Sequence, residues 1–579
     1  MKSPFGAFVM ILHGHIPYVL GHGTWPHGSN MIYEAAAETY IPLLWALEEL
    51  VHEGISPNIT ISLSPITVEQ LADERFKMWF EAYLTDKQKT AQRDAAEFQA
   101  RGDGHLAFLA GQWEGRYRSV CEAFIDGYDR DLVAAFRRLQ DGGHIEVMTC
   151  AATHGYLPLL HEDASIQAQI LQSVQTYEQH FGRRPRGIWL PECAYRPRCR
   201  WAPPPEIGYP ETPYPRKGIE EFLGENGFDY FVVDTHMLGG GNPLPVSVSR
   251  EDTLGKAWGH IRHVREASPY YGAKTPYRPY FVGDRFEDHP PVAILVRDPD
   301  TSQQVWSGWR GYPGDYCYLE FHKKHMPGDL RYWRVTDDLN DLSSKAPYEP
   351  QLANDRLQEH AGHFLSLVKE KLRNAPWEGG MPLVCAPFDA ELFGHWWFEG
   401  PRWMSKMLRW MNQDPEISVM TASAYLAAHS PDRATALPEG SWGAGGGHYV
   451  WMNNETAWTW HRVYDAEKDF RALVREHGRG HDEVMQRLVR QAARELLLLQ
   501  ASDWQFLITT WSARDYAEAR LNSHYNDFKS LMRVARDYAA GRVVSDASWA
   551  AVGRISDRDR PFAKIDPTWW GRVKRPAIG

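Results

Sequence analysis

Short apolar runs alternate with amphipathic stretches along most of this chain, and that rhythm restricts the fold more than any other feature. Phe8-Val9-Met10-Ile11-Leu12 is apolar without a break, as a strand covered on both faces requires. Glu34 to Val51 carries apolar residues at near-helical spacing, and Asn58-Ile59-Thr60-Ile61-Ser62-Leu63 is alternating and β-branched, which reads as helix then strand. The pattern returns at His144 to Cys150, Gly187-Ile188-Trp189-Leu190, Phe228 to Asp234, Val292 to Val296 and Leu383 to Phe388, with helical spacing over Ser165 to Phe181 and over 355–373. Such alternation means a parallel sheet with crossover helices. Closure into a TIM-like α/β barrel fits better than an open sheet, because polar candidates follow several different strands.

Two stretches break the rhythm. Thr67 to about Arg130 is charged and rich in Lys, Glu, Gln and Ala, and it reads as a helical insertion. After about residue 415 the alternation stops, and Asp482 to Leu499 places Val484, Leu488, Ala492, Leu496 and Leu499 on one helical stripe. The expected division is a barrel over 1–66 and 131–414, a helical insertion over 67–130, and an α-helical C-terminal domain over 415–579. A loop with seven prolines from Pro197 to Pro215 reads as irregular. The Gly-, Pro- and Tyr-containing segment that follows Asp234 reads as a lid or substrate rim.

Composition narrows the function. The net charge of −11 argues against a nucleic-acid partner. No stretch of about 18 apolar residues exists and Met1 to Gly6 begins no signal-length apolar region, so a cytoplasmic protein without a membrane partner is expected. Six scattered cysteines suit neither a disulfide framework nor a zinc cluster. Neither GxGxxG nor GK[ST] follows the first strand, which removes the common nucleotide-binding readings. The chain holds 24 Trp and 27 Tyr, more than a core needs, and indole faces with polar edges suit sugars. Trp442, Trp451, Trp458 and Trp460 lie among Gly and Asn and are expected to form a glucan-stacking rim.

Two carboxylates, Glu192 and Asp389, each end a strand at the edge where a barrel holds its active site. Pro191 stops the strand before Glu192. Glycoside cleavage needs such a pair, one to attack the anomeric carbon and one to give and take a proton. Glu391 is a rival to Asp389 in the same motif. His13 and His15 end the first strand as an HxH pair, read as sugar-hydroxyl contacts or as the start of a metal site. His154, beyond the third strand, joins the candidate substrate contacts. Glu146, inside an apolar strand, reads as a carboxylate supporting the site. No metal and no cofactor is expected. A non-catalytic glucan-binding protein is the alternative from another class, and a metal-dependent hydrolase or deacetylase using His13 and His15 is a third.

Four ordered motifs, His13-Gly14-His15-Ile16-Pro17-Tyr18, His144-Ile145-Glu146-Val147, Trp189-Leu190-Pro191-Glu192-Cys193-Ala194-Tyr195 and Phe388-Asp389-Ala390-Glu391-Leu392-Phe393-Gly394, resemble the signature regions of glycoside hydrolase family 57. The resemblance spans nearly the whole chain. It implies an incomplete (β/α)7 barrel and retaining chemistry on α-glucans, with Glu192 as nucleophile and Asp389 as general acid/base. Cys193 resembles the branching enzymes of that family more than its amylases or 4-α-glucanotransferases. By the same likeness Arg297, Trp306, Gly314, Trp442, Trp451 and Asp503 fall where glucan contacts are expected. The tyrosine that the group carries on its loop after the fourth strand has no single counterpart between 236 and 280.

Overall fold

The computed structural model describes residues 4–239, 274–283, 289–308, 311–337, 341–376 and 380–571. Most of the expected lid after Asp234, and most of residues 236–280, where the loop tyrosine is expected, lie outside those residues. Seven parallel strands form the centre: β1 (Gly6–Gly14), β2 (Ile59–Leu63), β3 (Ile145–Cys150), β4 (Gly187–Trp189), β5 (Tyr230–Val233), β6 (Ala293–Val296) and β7 (Leu383–Asp389). Their spatial order is β7-β1-β2-β3-β4-β5-β6. Every neighbouring pair in that row is parallel. The row curls until Arg297, just past β6, meets Cys385 of β7 in a single bridge. The expected incomplete barrel is thus the observed fold. Its strands are apolar because both faces are covered, and Ala7 to Leu12 are wholly buried.

The sheet continues past residue 415. Ile417–Val419 pairs with the start of β1, and Ala434–Thr435 pairs with Tyr280–Val282. The proline-rich loop is also more regular than its composition suggests, since Cys199–Trp201 and Tyr214–Arg216 form a small antiparallel ribbon. Proline at an edge position costs no ladder bond that water cannot replace. Glu146 lies at the N-terminal start of β3, away from the C-terminal strand ends. It accepts from Thr60 Oγ1 at 3.1 Å, Tyr230 OH at 2.9 Å and the Ser423 amide at 2.9 Å. It therefore ties β2, β3, β5 and the helix Ala422–Ala428 together, and the reading of it as a carboxylate supporting the site is corrected.

Residues between β2 and β3 include two long helices, Glu74–Ala100 and Gly104–Glu122. The first is capped by Asp73, whose side chain accepts from the Arg75 amide at 2.8 Å. Beyond residue 456 the chain is helical, with Ala457–His477, Glu483–Leu499, Asp503–Thr510, Arg514–Ala539 and Asp546–Arg558. These helices are stitched to the loop after β3: Gly155 bridges Ala501, and the Ser502 amide donates to the His154 carbonyl at 3.1 Å. That seam carries Asp503 to the mouth of the barrel. Among the described residues no helix is long and apolar enough to cross a membrane.

Candidate active site

The C-terminal strand ends converge on a pocket of buried polar groups. Leu190 is extended, Pro191 opens a single 3-10 turn, and Glu192 and Cys193 adopt positive φ of 61° and 48°. Left-handed backbone at a non-glycine residue costs on the order of 1–3 kcal/mol, and here it turns the Glu192 carboxylate into the mouth. Two bonds from one residue hold it there: the Trp442 amide donates to the Glu192 carbonyl at 3.0 Å and the Trp442 indole N–H donates to Glu192 Oε2 at 2.8 Å. His154 Nδ1 lies 3.9 Å from Glu192 Oε1.

Asp389 arrives from β7, whose register sets it directly beside His13 of β1. His13 in turn meets His154, Nε2 to Nε2, at 3.1 Å and stacks on Trp189 with ring centres 4.8 Å apart. A continuous wall of rings therefore runs from the β7 edge to the Glu192 turn. Burial holds the His13 and His154 rings well below the usual imidazole range, and neighbouring imidazoles add to the effect. Both are neutral at pH 7.

Both carboxylates are shifted upward. Burial pushes Glu192 up to about 7, against the Trp442 N–H, which favours its ionised form. Asp389 is raised well above the ordinary carboxylate range by burial, with the charges of Glu391 and Glu192 adding to it and Arg297 opposing. Glu192 has the hydrogen-bond donor that supports an anion and Asp389 has the environment that keeps a proton, as a nucleophile and an acid require.

Glu391, the rival in the Asp389 motif, accepts from Tyr40 OH at 2.5 Å and from the His15 amide at 3.1 Å. Both bonds fix it as a brace for the β1 end. Arg297 ion-pairs with Asp234 at 3.2 Å and sits 5.8 Å from the Trp442 ring centre. Trp306 meets the edge of Trp442 at 6.2 Å. Asp503 accepts from His15 Nε2 at 3.0 Å, while His15 Nδ1 shares a hydrogen bond with Ser64 at 2.8 Å. Asp503, His15 and His154 place ligand-type atoms within 4.8 Å of one another, the arrangement that could hold a cation here. Each His15 and His154 ring nitrogen already has a protein partner.

Gly314 touches none of these groups. A Cβ on it would lie 2.0 Å from the Gly308 carbonyl oxygen, so it secures the loop that follows Trp306 by close backbone approach. Gly314→Ala is expected to lower stability by about 1–3 kcal/mol, read by thermal melting.

The expected tryptophan rim is corrected. Trp451 is 1% exposed and stacks on Tyr156 at 4.6 Å, and Trp460 is fully buried. Trp451 fills the space beneath Gly443, where an added Cβ would lie 2.5 Å from its ring, and Trp460, on the helix Ala457–His477, donates its indole N–H to the Trp451 carbonyl at 2.9 Å. Missed from the sequence were Asp234, which anchors Arg297, and Trp189, which stacks on His13. The apolar-run-then-Asp pattern at Val232-Val233-Asp234, like that before Asp389, was the available signal for the first.

Trp442→Phe preserves most of the ring while removing the donor to Glu192. The expected result is a fall in kcat of roughly ten- to a hundredfold, with the acid limb of the pH–rate profile displaced to higher pH. An unchanged profile would show that the bond does not tune Glu192.

Comparison with known proteins agrees along the chain. The profile of glycosyl hydrolase family 57 matches residues 9–438, and that of the 1,4-alpha-glucan branching enzyme C-terminal region matches residues 462–570. The sequence is 40% identical to the 1,4-alpha-glucan branching enzyme of Thermococcus kodakarensis over 97% of this chain and 78% of that protein. The crystal structure of the Thermococcus branching enzyme superposes with a TM-score of 0.87 at 38% identity, covering 99% of this chain and 98% of that one. An alpha-amylase from Thermotoga maritima superposes at 0.79 with 26% identity, covering 98% and 99%.

Proposed function

The chain belongs to glycosyl hydrolase family 57, and from that premise we infer that it is a 1,4-α-glucan branching enzyme in which Glu192 is the nucleophile and Asp389 the general acid/base. The activity is a glycosyl transfer that moves a segment of α-1,4-glucan to a 6-hydroxyl.

An α-1,4-linked chain lies across the mouth. Glu192 attacks the anomeric carbon while Asp389 gives its proton to the departing glycosidic oxygen, leaving a β-linked glycosyl-enzyme and a shortened chain with a free 4-hydroxyl. Asp389, now ionised, takes the proton from a 6-hydroxyl of an acceptor glucan, and that oxygen displaces Glu192. Two inversions give net retention, so one α-1,4 bond is exchanged for one α-1,6 bond without consuming water. Water as acceptor gives hydrolysis, and the balance depends on how well the closed site positions a sugar and excludes solvent.

The remaining residues take supporting roles. His13, His15, His154, Arg297, Trp306, Trp442 and Asp503 are the proposed contacts to glucan hydroxyls and ring faces. Asp503 gives the C-terminal domain (415–579), whose first strands extend the barrel sheet and whose remainder is helical, a part in the site built by the barrel (1–66 and 131–414), with residues 67–130 as the insertion. The proposed location is the cytoplasm.

The observation that carries the choice of branching over simple hydrolysis is Asp503. It comes from the region matched by the branching-enzyme C-terminal profile and reaches His15 at the barrel mouth. The test is incubation of amylose with the protein, counting new α-1,6 linkages by proton NMR against new reducing ends. An excess of α-1,6 linkages is expected; reducing ends alone would make the protein an amylase.

A further inference from the structure

Far along the insertion hairpin, on the face turned toward residues 318–335, three ligand-type side chains converge outside the active site. Asp94 and Glu97 share one face of the helix Glu74–Ala100 through their i,i+3 spacing. His325 faces them from a turn closed by its antiparallel bridge to Leu330. The three ligand atoms lie within 4.8 Å of one another, and His325 Nε2 is 3.6 Å from Glu97 Oε2.

Two of these atoms are buried with nothing to bond. Asp94 is fully buried; its Oδ2 accepts from Tyr332 OH at 2.9 Å, but its Oδ1 has no hydrogen-bond partner. His325 Nε2 is likewise buried and without a partner. A buried carboxylate oxygen and a buried ring nitrogen left open side by side are destabilising, a penalty that a shared ligand would relieve. Arg93 is the competing cation. Its guanidinium stays 3.6 Å from Asp94 Oδ1 and its side chain is 52% exposed, free to swing outward. Arg101 engages the other Glu97 oxygen at 2.6 Å.

We propose that Asp94, Glu97 and His325 bind one divalent transition-metal ion of zinc-like chemistry, which pins the helical insertion to the 318–335 segment. One imidazole and two carboxylates form a hard-to-borderline set that suits zinc better than calcium or magnesium, which prefer oxygen alone. Ligand atoms around a tetrahedral zinc with bonds near 2.0–2.1 Å stand about 3.3 Å apart. The pair at 3.6 Å already meets that spacing, and small rotations bring in the third. Tyr332 orients Asp94 as an outer partner does in such sites.

Protein stripped with a chelator is titrated with zinc chloride by calorimetry, and its melting temperature is followed with and without the metal. One equivalent is expected to bind and to raise the melting temperature. Glu97→Gln and His325→Gln, both at partly exposed side chains, should each weaken binding on the order of tenfold or more, as should Asp94→Asn. His15→Gln, which dismantles the three-ligand group at the barrel mouth, should leave that equivalent in place. No binding, or binding that survives the Glu97 and His325 variants, overturns the proposal.

Discussion

Glu192→Gln will abolish branching and hydrolysis together while leaving glucan binding intact. The amide is nearly the same shape and its oxygen still accepts from Trp442 Nε1, now 2.8 Å from Glu192 Oε2, but it cannot form the glycosyl-enzyme. A loss of about four orders of magnitude or more in kcat is expected, with the dissociation constant for amylose or a maltooligosaccharide, measured calorimetrically, changed only slightly. Turnover within tenfold of the parent would remove Glu192 from the chemistry.

The same substitution has an expected effect on stability. Glu192 is held at about 7 in the folded protein against an ordinary 4.5. The native state therefore binds this proton more tightly than the unfolded chain does. Its contribution to stability is fully present below about pH 4.5, is lost as pH climbs toward about 7, and stays lost above. Replacing the acid by an amide removes that loss, so the variant should melt higher than the parent near pH 8 and alike near pH 4. An equal melting temperature at both pH values would mean that the carboxylate is not strained by its burial.

Asp389→Asn should fail differently. Without a proton donor the cleavage of amylose should drop by about 10² to 10⁴, because an alkoxide is a poor leaving group. A glucosyl fluoride needs no such proton and should still load Glu192. Loss of the base then stalls the second step, so the covalent adduct should accumulate and be visible in the intact mass. Azide, an acceptor that needs no deprotonation, should discharge it as the α-linked azide. Asp389 is raised well above the ordinary carboxylate range by burial and must carry its proton to act, so it governs the alkaline limb of kcat/KM, and that limb should vanish in the variant. A β-linked azide, or a full alkaline limb, would reassign the two roles.

The barrel strands and the two carboxylates were legible because they depend on nearest neighbours in sequence. An apolar run bounded by Pro191 or by Asp389 says where a strand ends and which residue stands there, whatever lies around it. Asp503 entered the reading only through a family likeness. Its helix lies 488 positions from His15 in the chain, a separation at which no local pattern carries information. Glu146 shows the opposite failure: its strand was legible, but a carboxylate in an apolar run looks the same whether it points to the mouth or braces the base.

Tryptophan count misled for a related reason. Trp451 and Trp460 follow a Gly-rich stretch that looks exposed, yet both are buried, Trp451 beneath Gly443 and Trp460 bonded to the Trp451 carbonyl. Sequence determined the alternating elements, and with them which end of the barrel would gather the polar side chains, since strand direction and proline stops are properties of the local backbone. Only tertiary structure decided which carboxylate keeps its proton, which indole faces the site and which ring nitrogens are already engaged, because depth from solvent and the approach of distant partners arise when the sheet curls and the C-terminal helices close on its rim.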